Sequence, residues 1–467
     1  MSVSDDVAAT NDVGSGDLEL VGERKLTWFD VSAIGSGEFL AMLTWGFIVY
    51  IASIYGLKWG IIGFVIGMAV MFAAWWLYRE MVTAVPEAGW IQSWSREAGL
   101  FSLGTAYFIL FVPVYAAFMW LEFQIAGALL QSLAPGVDHH FWPLVLIAPL
   151  AILNLVGFQI TAKLQAYLVS ILLALNVVLG IVVWTHFNSS VWSANLKGAS
   201  APGLIGLFTI VGLWIALMAG CLEAQAILVD DWDDFKKSRD WGMLGGLVEL
   251  FFLEFVVGVG VMGVFPINKL FNFAVPPVSF VHAEYGGGFL YVLVLIWVFV
   301  GNATTFNVYF MAMGKTIAAY AHQGALPRIF GRYSTRGAVP WVAIVFLIAL
   351  ALAGAYWTSW TFIVHMVGAW AVTLYAAGAL CFLGMRRNKK LERPVVSRFG
   401  SVLAVLLIVA AGLMAYGVLK AYPTPSYVWF GLVAAVALYD YFVVPRTPRG
   451  KRYRDAVLQR RESATRL

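Results

Sequence analysis

Long apolar windows, separated by charges, prolines or glycines, succeed one another along almost the whole chain. Windows long enough to cross about 30 Å of hydrocarbon predict twelve spans, near 29–52, 58–79, 100–130, 142–157, 164–186, 204–229, 242–264, 288–318, 340–356, 360–384, 401–419 and 428–444. The first is irregular. Gly35-Ser36-Gly37-Glu38 interrupts it about ten residues in, roughly 15 Å at helical rise and so near a bilayer's middle. Opened backbone at that depth must be buried in protein or line a polar cavity, because lipid satisfies neither amides nor carbonyls. The sixth span carries its own small-residue interruption, Met218-Ala219-Gly220-Cys221-Leu222-Glu223-Ala224.

Both interruptions open a group of five spans, the first covering about 29–186 and the second about 204–384. An odd number of crossings makes the second group enter from the opposite side, so a repeat of this kind is inverted. Paired interruptions in inverted repeats point to a substrate site at the membrane midplane, although glycines also serve close helix packing. The fold class expected is an all-α polytopic membrane protein. Residues 1–27 read as a disordered tail, 28–445 as the membrane domain with two extra helices near 401–444, and 446–467 as a basic tail.

Composition agrees with the pattern. Of 467 residues 61% are hydrophobic and only 12% charged, against roughly 25% charged in a soluble domain. The net charge of +4 is spread by loop, which excludes a nucleic-acid footprint. Of 30 Lys and Arg, all but Lys58, Lys197, Lys269 and Lys420 fall on one side of the predicted topology. That asymmetry puts both termini in the cytoplasm. Cys221 and Cys381 lie in apolar spans and form no disulfide framework.

The candidate chemistry is carboxylate and open backbone. Glu38, Glu122, Glu223, Glu249 and Glu254 lie inside predicted spans, with Lys315 and His365 as the few basic groups available there. Intramembrane acids are costly and usually functional or paired, and Glu38 and Glu223 adjoin the interruptions. The N–H groups of Gly35, Ser36 and Gly37 suit a substrate carboxylate. The carbonyls of Val31 to Ile34, Ala33 included, and of Leu217 to Ala219 next to Gly220 suit an ammonium. A zwitterionic amino acid matches both ends. Gly301, Thr304 and Thr305 share a helical face, with Trp297 a turn earlier; with the Val31 and Ile34 carbonyls they form a candidate Na⁺ site. Back-bonding of the threonines to their own helix is the alternative. Asn188-Ser189-Ser190 matches a glycosylation triplet and His139-His140 reads as solvated loop. No nucleophile-elbow, zinc-protease or phosphate-loop motif supports an embedded enzyme.

Five motifs in order resemble those of the amino acid–polyamine–organocation permease superfamily: Ile34-Gly35-Ser36-Gly37, Pro86-Glu87-Ala88-Gly89, Asn154-Leu155-Val156-Gly157, Ala219-Gly220-Cys221-Leu222-Glu223-Ala224 and Gly324-Ala325-Leu326-Pro327. The resemblance covers about 28–445 and implies a LeuT-type fold of two inverted five-helix repeats plus two helices, working by alternating access. It implies aromatic gates, for which Trp214 and Trp297 are the candidates. Glu38 departs from the family's aliphatic residue and suggests a cationic or amine substrate. The lysine that some proton-coupled members carry in the fifth span is absent from Tyr167 to Leu173, which favours Na⁺ over H⁺ as coupling ion. The function expected is transport of an amino acid or related amine across the plasma membrane. A non-transporting amino-acid receptor or subunit, and a proton-coupled or exchange carrier of polyamines, are the alternatives. The partners are then the small-molecule substrate and the lipid bilayer.

Overall fold

The structure, a computed structural model, describes residues 26–37, 42–134, 136–138, 141–197, 200–253, 257–270, 276–334, 339–355, 360–452 and 454–455. Among them there is no strand, only an isolated bridge between Leu26 and Trp232. The principal helices are α1 (Trp28–Gly37), α2 (Met42–Tyr55), α3 (Leu57–Ala84), α4 (Ile91–Ala98), α5 (Phe101–Leu133), α6 (Trp142–Val156), α7 (Phe158–Thr185), α8 (Ser189–Leu196), α9 (Gly203–Met218), α10 (Cys221–Ile227), α11 (Met243–Leu253), α12 (Pro276–Tyr285), α13 (Phe289–Val308), α14 (Gly314–His322), α15 (Trp341–Ala355), α16 (Trp360–Arg387), α17 (Gly400–Ala421) and α18 (Pro423–Phe442).

Their lengths follow from the apolar windows, and eight of the described stretches are long and apolar enough to cross a membrane. They are α3, the Phe101–Trp120 part of α5, α7, α9 with α10, α13 with α14, most of α16, α17, and α18 with its extension to Arg446. Shorter apolar segments lie in α6 and α15. This is a helical membrane protein. Layering is legible from burial: 72% of the most apolar stretch of α9–α10 is enclosed by protein, against 11% for α18. Exposed Val402, Val405, Leu406 and Val409 on α17 and Leu438 on α18 form the kind of apolar surface that lipid covers.

At the centre lie α1 and α10. Val31 to Gly37 are all buried on α1, and every residue of α10 is buried. They touch each other, α11 packs along α1, and α7 flanks it. Small residues on these helices let backbones approach where lipid supplies no hydrophobic drive.

Charge gathers at one end of the bundle. Arg79 and Arg239 both reach Asp240, each at 2.7 Å. Lys315 on α14 pairs with Asp231 in the turn after α10, so this intramembrane lysine is matched to an acid outside the spans. Beside it, burial raises the Asp230 carboxyl, although Lys315 pulls the other way. Arg386 forks onto buried Glu80 at 2.8 and 2.6 Å, and the same carboxylate accepts the Ser397 N–H at 2.7 Å. His365 lies 3.2 Å from the Tyr50 hydroxyl and stacks on Tyr422.

Two predictions follow from this charged end. Removing one member of a buried pair strands the other, so Glu80→Ala should cost about 3 kcal/mol, the low end of the usual range because Arg386 reaches solvent; equilibrium unfolding in mixed micelles measures it, with Arg386→Met closing the cycle. Burial raises the Asp240 carboxyl, but hydrogen bonds and charge from Arg239 and Arg79 outweigh it and hold the group below the ordinary range. Its contribution to stability is therefore complete above the unfolded value of about 3.9 and is lost as pH falls from there through the depressed folded value. Asp240→Asn should flatten that acid limb in a thermal-unfolding series.

Candidate functional site

The site is a short helix held by amides from other helices. Gly35, Ser36 and Gly37 are helical within α1, so the expected opening of the first span is not at these three residues; its remaining part, from Glu38 on, lies outside the described residues. The next described helix begins at Met42; Glu38 lies outside the described residues, as do Glu254 and His139-His140. The glycines serve space. A Cβ on Gly35 would sit 2.2 Å from the Gln225 Nε2, and one on Gly37 would sit 1.9 Å from the Gln165 Nε2. Each glutamine fills that space to reach a carbonyl of α1: Gln225 Nε2 donates to Val31 at 2.9 Å and Gln165 Nε2 to Ala33 at 3.1 Å. Both glutamines are fully buried.

Gln165 ends a chain of amides. Asn154 Nδ2 on α6 donates to Asn307 Oδ1 on α13 at 2.8 Å, Asn307 Nδ2 donates to Gln165 Oε1 at 3.0 Å, and Gln165 donates to Ala33. Direction is forced from the end. A backbone carbonyl only accepts, so Gln165 must present its nitrogen to α1, and every amide behind it is oriented in turn. Asn307 also donates to the Thr161 carbonyl at 2.8 Å. Immediately after Asn307 and Val308 the helix widens into a π-turn over Tyr309–Met313, a feature frequent at functional sites. Periodicity drew no attention to Gln165, Gln225 or Asn307. The available signal was an uncharged amide in the middle of an apolar window, which must find a buried partner.

The second interruption is where it was expected. α9 ends at Met218, Ala219 is extended, and Gly220 has φ 118°, which side-chain-bearing residues avoid, before α10 starts at Cys221. Leu217 and Ala219 lie fully within the protein. Glu223 is used internally: it accepts the Gly220 N–H at 2.8 Å and the Tyr78 hydroxyl at 2.9 Å. It therefore caps α10 and ties it to α3, a structural duty that the sequence reading did not assign. Glu249 on α11 accepts from Ser32 at 3.1 Å, and Ser36 donates to the Ser32 carbonyl at 3.0 Å. Glu122 is buried on α5.

On α13, Thr305 is brought to α1, its hydroxyl 3.4 Å from the Gly37 carbonyl. Both threonines also back-bond to the Gly301 carbonyl, Thr304 at 2.7 Å and Thr305 at 3.4 Å. Thus the candidate cation set is only partly assembled: Thr305 meets the end of α1, Ile34 is buried within α1, and the Val31 carbonyl carries the Gln225 amide. The gate candidates are held elsewhere. Trp214 donates to the Gly60 carbonyl of α3 at 2.8 Å with its ring edge on Phe64, and Trp297 donates to Asn176 on α7 at 3.2 Å. Asn188 caps α8 by accepting from the Ser190 N–H. Among the described residues no cluster of three or more His, Cys, Asp or Glu is placed to hold a metal.

What results is a buried helix, α1, with two neutral amide donors seated on its carbonyls. No protein-family model matches the chain.

The fit between glycine and glutamine is testable. Gly37→Ala should force Gln165 off Ala33 and Asn307 and destabilise the protein; in a Gln165→Ala background the same change should cost much less, with a coupling of about 1–2 kcal/mol in a double-mutant unfolding cycle. Strict additivity would show that Gly37 is not there to admit Gln165.

Proposed function

We propose that the chain is a secondary active transporter for an amino acid or related amine, of the amino acid–polyamine–organocation type, with twelve spans in two inverted repeats plus two helices. The observation that carries this reading is the contact between the two places where the sequence pattern opens. Gln225, on the half-helix that follows the Gly220 interruption, donates to the Val31 carbonyl on the first helix. The first helix and the half-helix after the second interruption are therefore in direct contact, which supports a shared site. An ammonium is a stronger partner for a carbonyl than an amide N–H is, so a substrate amine displacing Gln225 or Gln165 gains from the exchange. Alternating access then consists of making and breaking these seats as α1 and α10 move against α7 and α13.

In this reading Gly35, Ser36 and Gly37 lie against the substrate, Ala33, Ile34, Leu217 and Ala219 offer carbonyls, and Glu38 favours positive charge. Both termini face the cytoplasm and the membrane is the plasma membrane. Thr305 beside the Gly37 carbonyl favours ion coupling at the α1–α13 contact, with Na⁺ or H⁺ as the coupling ion.

Uptake of labelled arginine, leucine and putrescine into proteoliposomes under imposed Na⁺ or pH gradients tests the proposal. Saturable uptake of at least one amine is expected, accelerated by one gradient and reduced about tenfold or more by Gln225→Leu, which removes a buried hydrogen bond and the seat it marks. Ligand-dependent stabilisation without flux for any of the three would replace transport by a binding role.

A further inference from the structure

The basic segment that follows α18 is folded and seated on the bundle. Between Asp440 and Asp455 the chain carries Arg446, Arg449, Lys451, Arg452 and Arg454, and no acid. Thr447 accepts the Gly450 N–H at 3.0 Å through its hydroxyl and the Lys451 N–H at 2.9 Å through its carbonyl, with Pro448 next in sequence, so these cations lie on and beside a capped helical turn. Its seat is the chain just after α14. Gly324 there has φ 83°, and a Cβ on it would lie 2.6 Å from the Arg449 Cβ and from the Gly450 nitrogen. The Tyr439 hydroxyl donates to the Ala325 carbonyl at 3.1 Å, a second tie between the end of α18 and the same stretch. The Gly324-Ala325-Leu326-Pro327 motif therefore holds the basic segment in place.

That place is the edge of the bundle that lipid covers. Only 11% of the most apolar stretch of α18 is enclosed by protein, and Tyr441, Phe442 and Val443 at its end are 57%, 50% and 42% exposed. Arg446 follows at once, exposed, as are Arg449, Lys451 and Arg452. Arg328 and Arg332, in the loop that starts at the seat, are exposed too. Among the described residues none of these six is in an ion pair, whereas Arg454 lies within electrostatic reach of Asp440. Exposed aromatic and aliphatic side chains that pass directly into unpaired cations follow the order of a bilayer, from acyl chains to head groups. Charge sidedness alone orients a chain and asks for no fold in the segment that bears it; here the cations are fixed beside the lipid-facing helix.

We propose that the seated segment 446–452, with Arg328 and Arg332, binds the phosphate head groups of anionic lipids in the leaflet at this end of the bundle. Clusters of cations immediately beyond a spanning helix attract such lipids, each cation adding about fivefold in affinity, and salt screens the attraction. Because the segment is tied to Gly324 and Ala325, a bound lipid holds the end of α18 against the end of α14 and stabilises the bundle. No residue of the α1 site takes part, so the proposal stands whether or not the chain transports an amine.

Thermal unfolding of the full chain in maltoside micelles, titrated with dioctanoyl phosphatidylglycerol, dioctanoyl phosphatidylcholine and glycerol phosphate, provides the test. Saturable stabilisation by phosphatidylglycerol, weakened by added salt, is expected, with none from the other two. The triple variant Arg449→Gln, Lys451→Gln, Arg452→Gln should raise the half-saturating concentration about tenfold or more; its side chains are exposed, so the fold survives the change. A matched variant, Arg387→Gln, Lys389→Gln, Lys390→Gln, removes three exposed cations at and after the end of α16 and should leave the titration unchanged. Equal losses from the two variants would reduce the effect to overall charge and overturn the proposal. Stabilisation by phosphatidylcholine or glycerol phosphate equal to that by phosphatidylglycerol, or no saturable effect of any of the three, would overturn it as well.

Discussion

A carbonyl oxygen in a membrane interior has no bulk water to accept from, and the centre of this protein is organised by how that need is met. α1 keeps its helix through Gly37, yet two of its carbonyls take an additional side-chain donor, from Gln225 at Val31 and from Gln165 at Ala33. Those donors come from α10 and α7, so one short helix is fixed laterally from two directions. Gly35 and Gly37 are what admit them. Remove the hydrogen bonds and the glycines become voids; fill the glycines and the hydrogen bonds cannot form.

The surrounding structure transmits that constraint outward. Asn307 and Asn154 continue the donor chain from Gln165 into α13 and α6, and Thr161 supplies a further acceptor. Glu223 secures the other side by holding the Gly220 turn and Tyr78 together. At the charged end Glu80, Asp231 and Asp240 are matched to Arg386, Lys315 and the pair of Arg79 and Arg239. Matching is what such burial requires, since a buried charge without a partner is costly.

Helix positions were legible in the sequence because hydrocarbon thickness sets a length, and the ends of α3, α9 with α10, α16 and α17 fall within several residues of the apolar windows. The Gly220 interruption was legible too, since extended Ala219 followed by a positive φ needs small residues. At Gly35 and Gly37 the pattern was silent on the contact with Gln225 and Gln165 for a physical reason: glycine marks either freedom of the backbone or closeness of a neighbour, and sequence pattern does not distinguish them. Gln165 and Ala33 are 132 residues apart. Nothing local in either segment announces the other, and the same holds for Lys315 with Asp231 and for Glu223 with Tyr78.

The glycine and glutamine pairs also restrict how this chain can change over generations. At Gly37 and Gln165 neither residue is free to drift first: a larger residue at one position meets an unmoved amide, and a shorter residue at the other leaves Ala33 without its second donor. Exchange has to pass through an impaired intermediate or arrive at both sites together. Inheritance should therefore treat the two positions as a single character, and a lineage in which one has been replaced would be expected to carry a matching replacement at its partner.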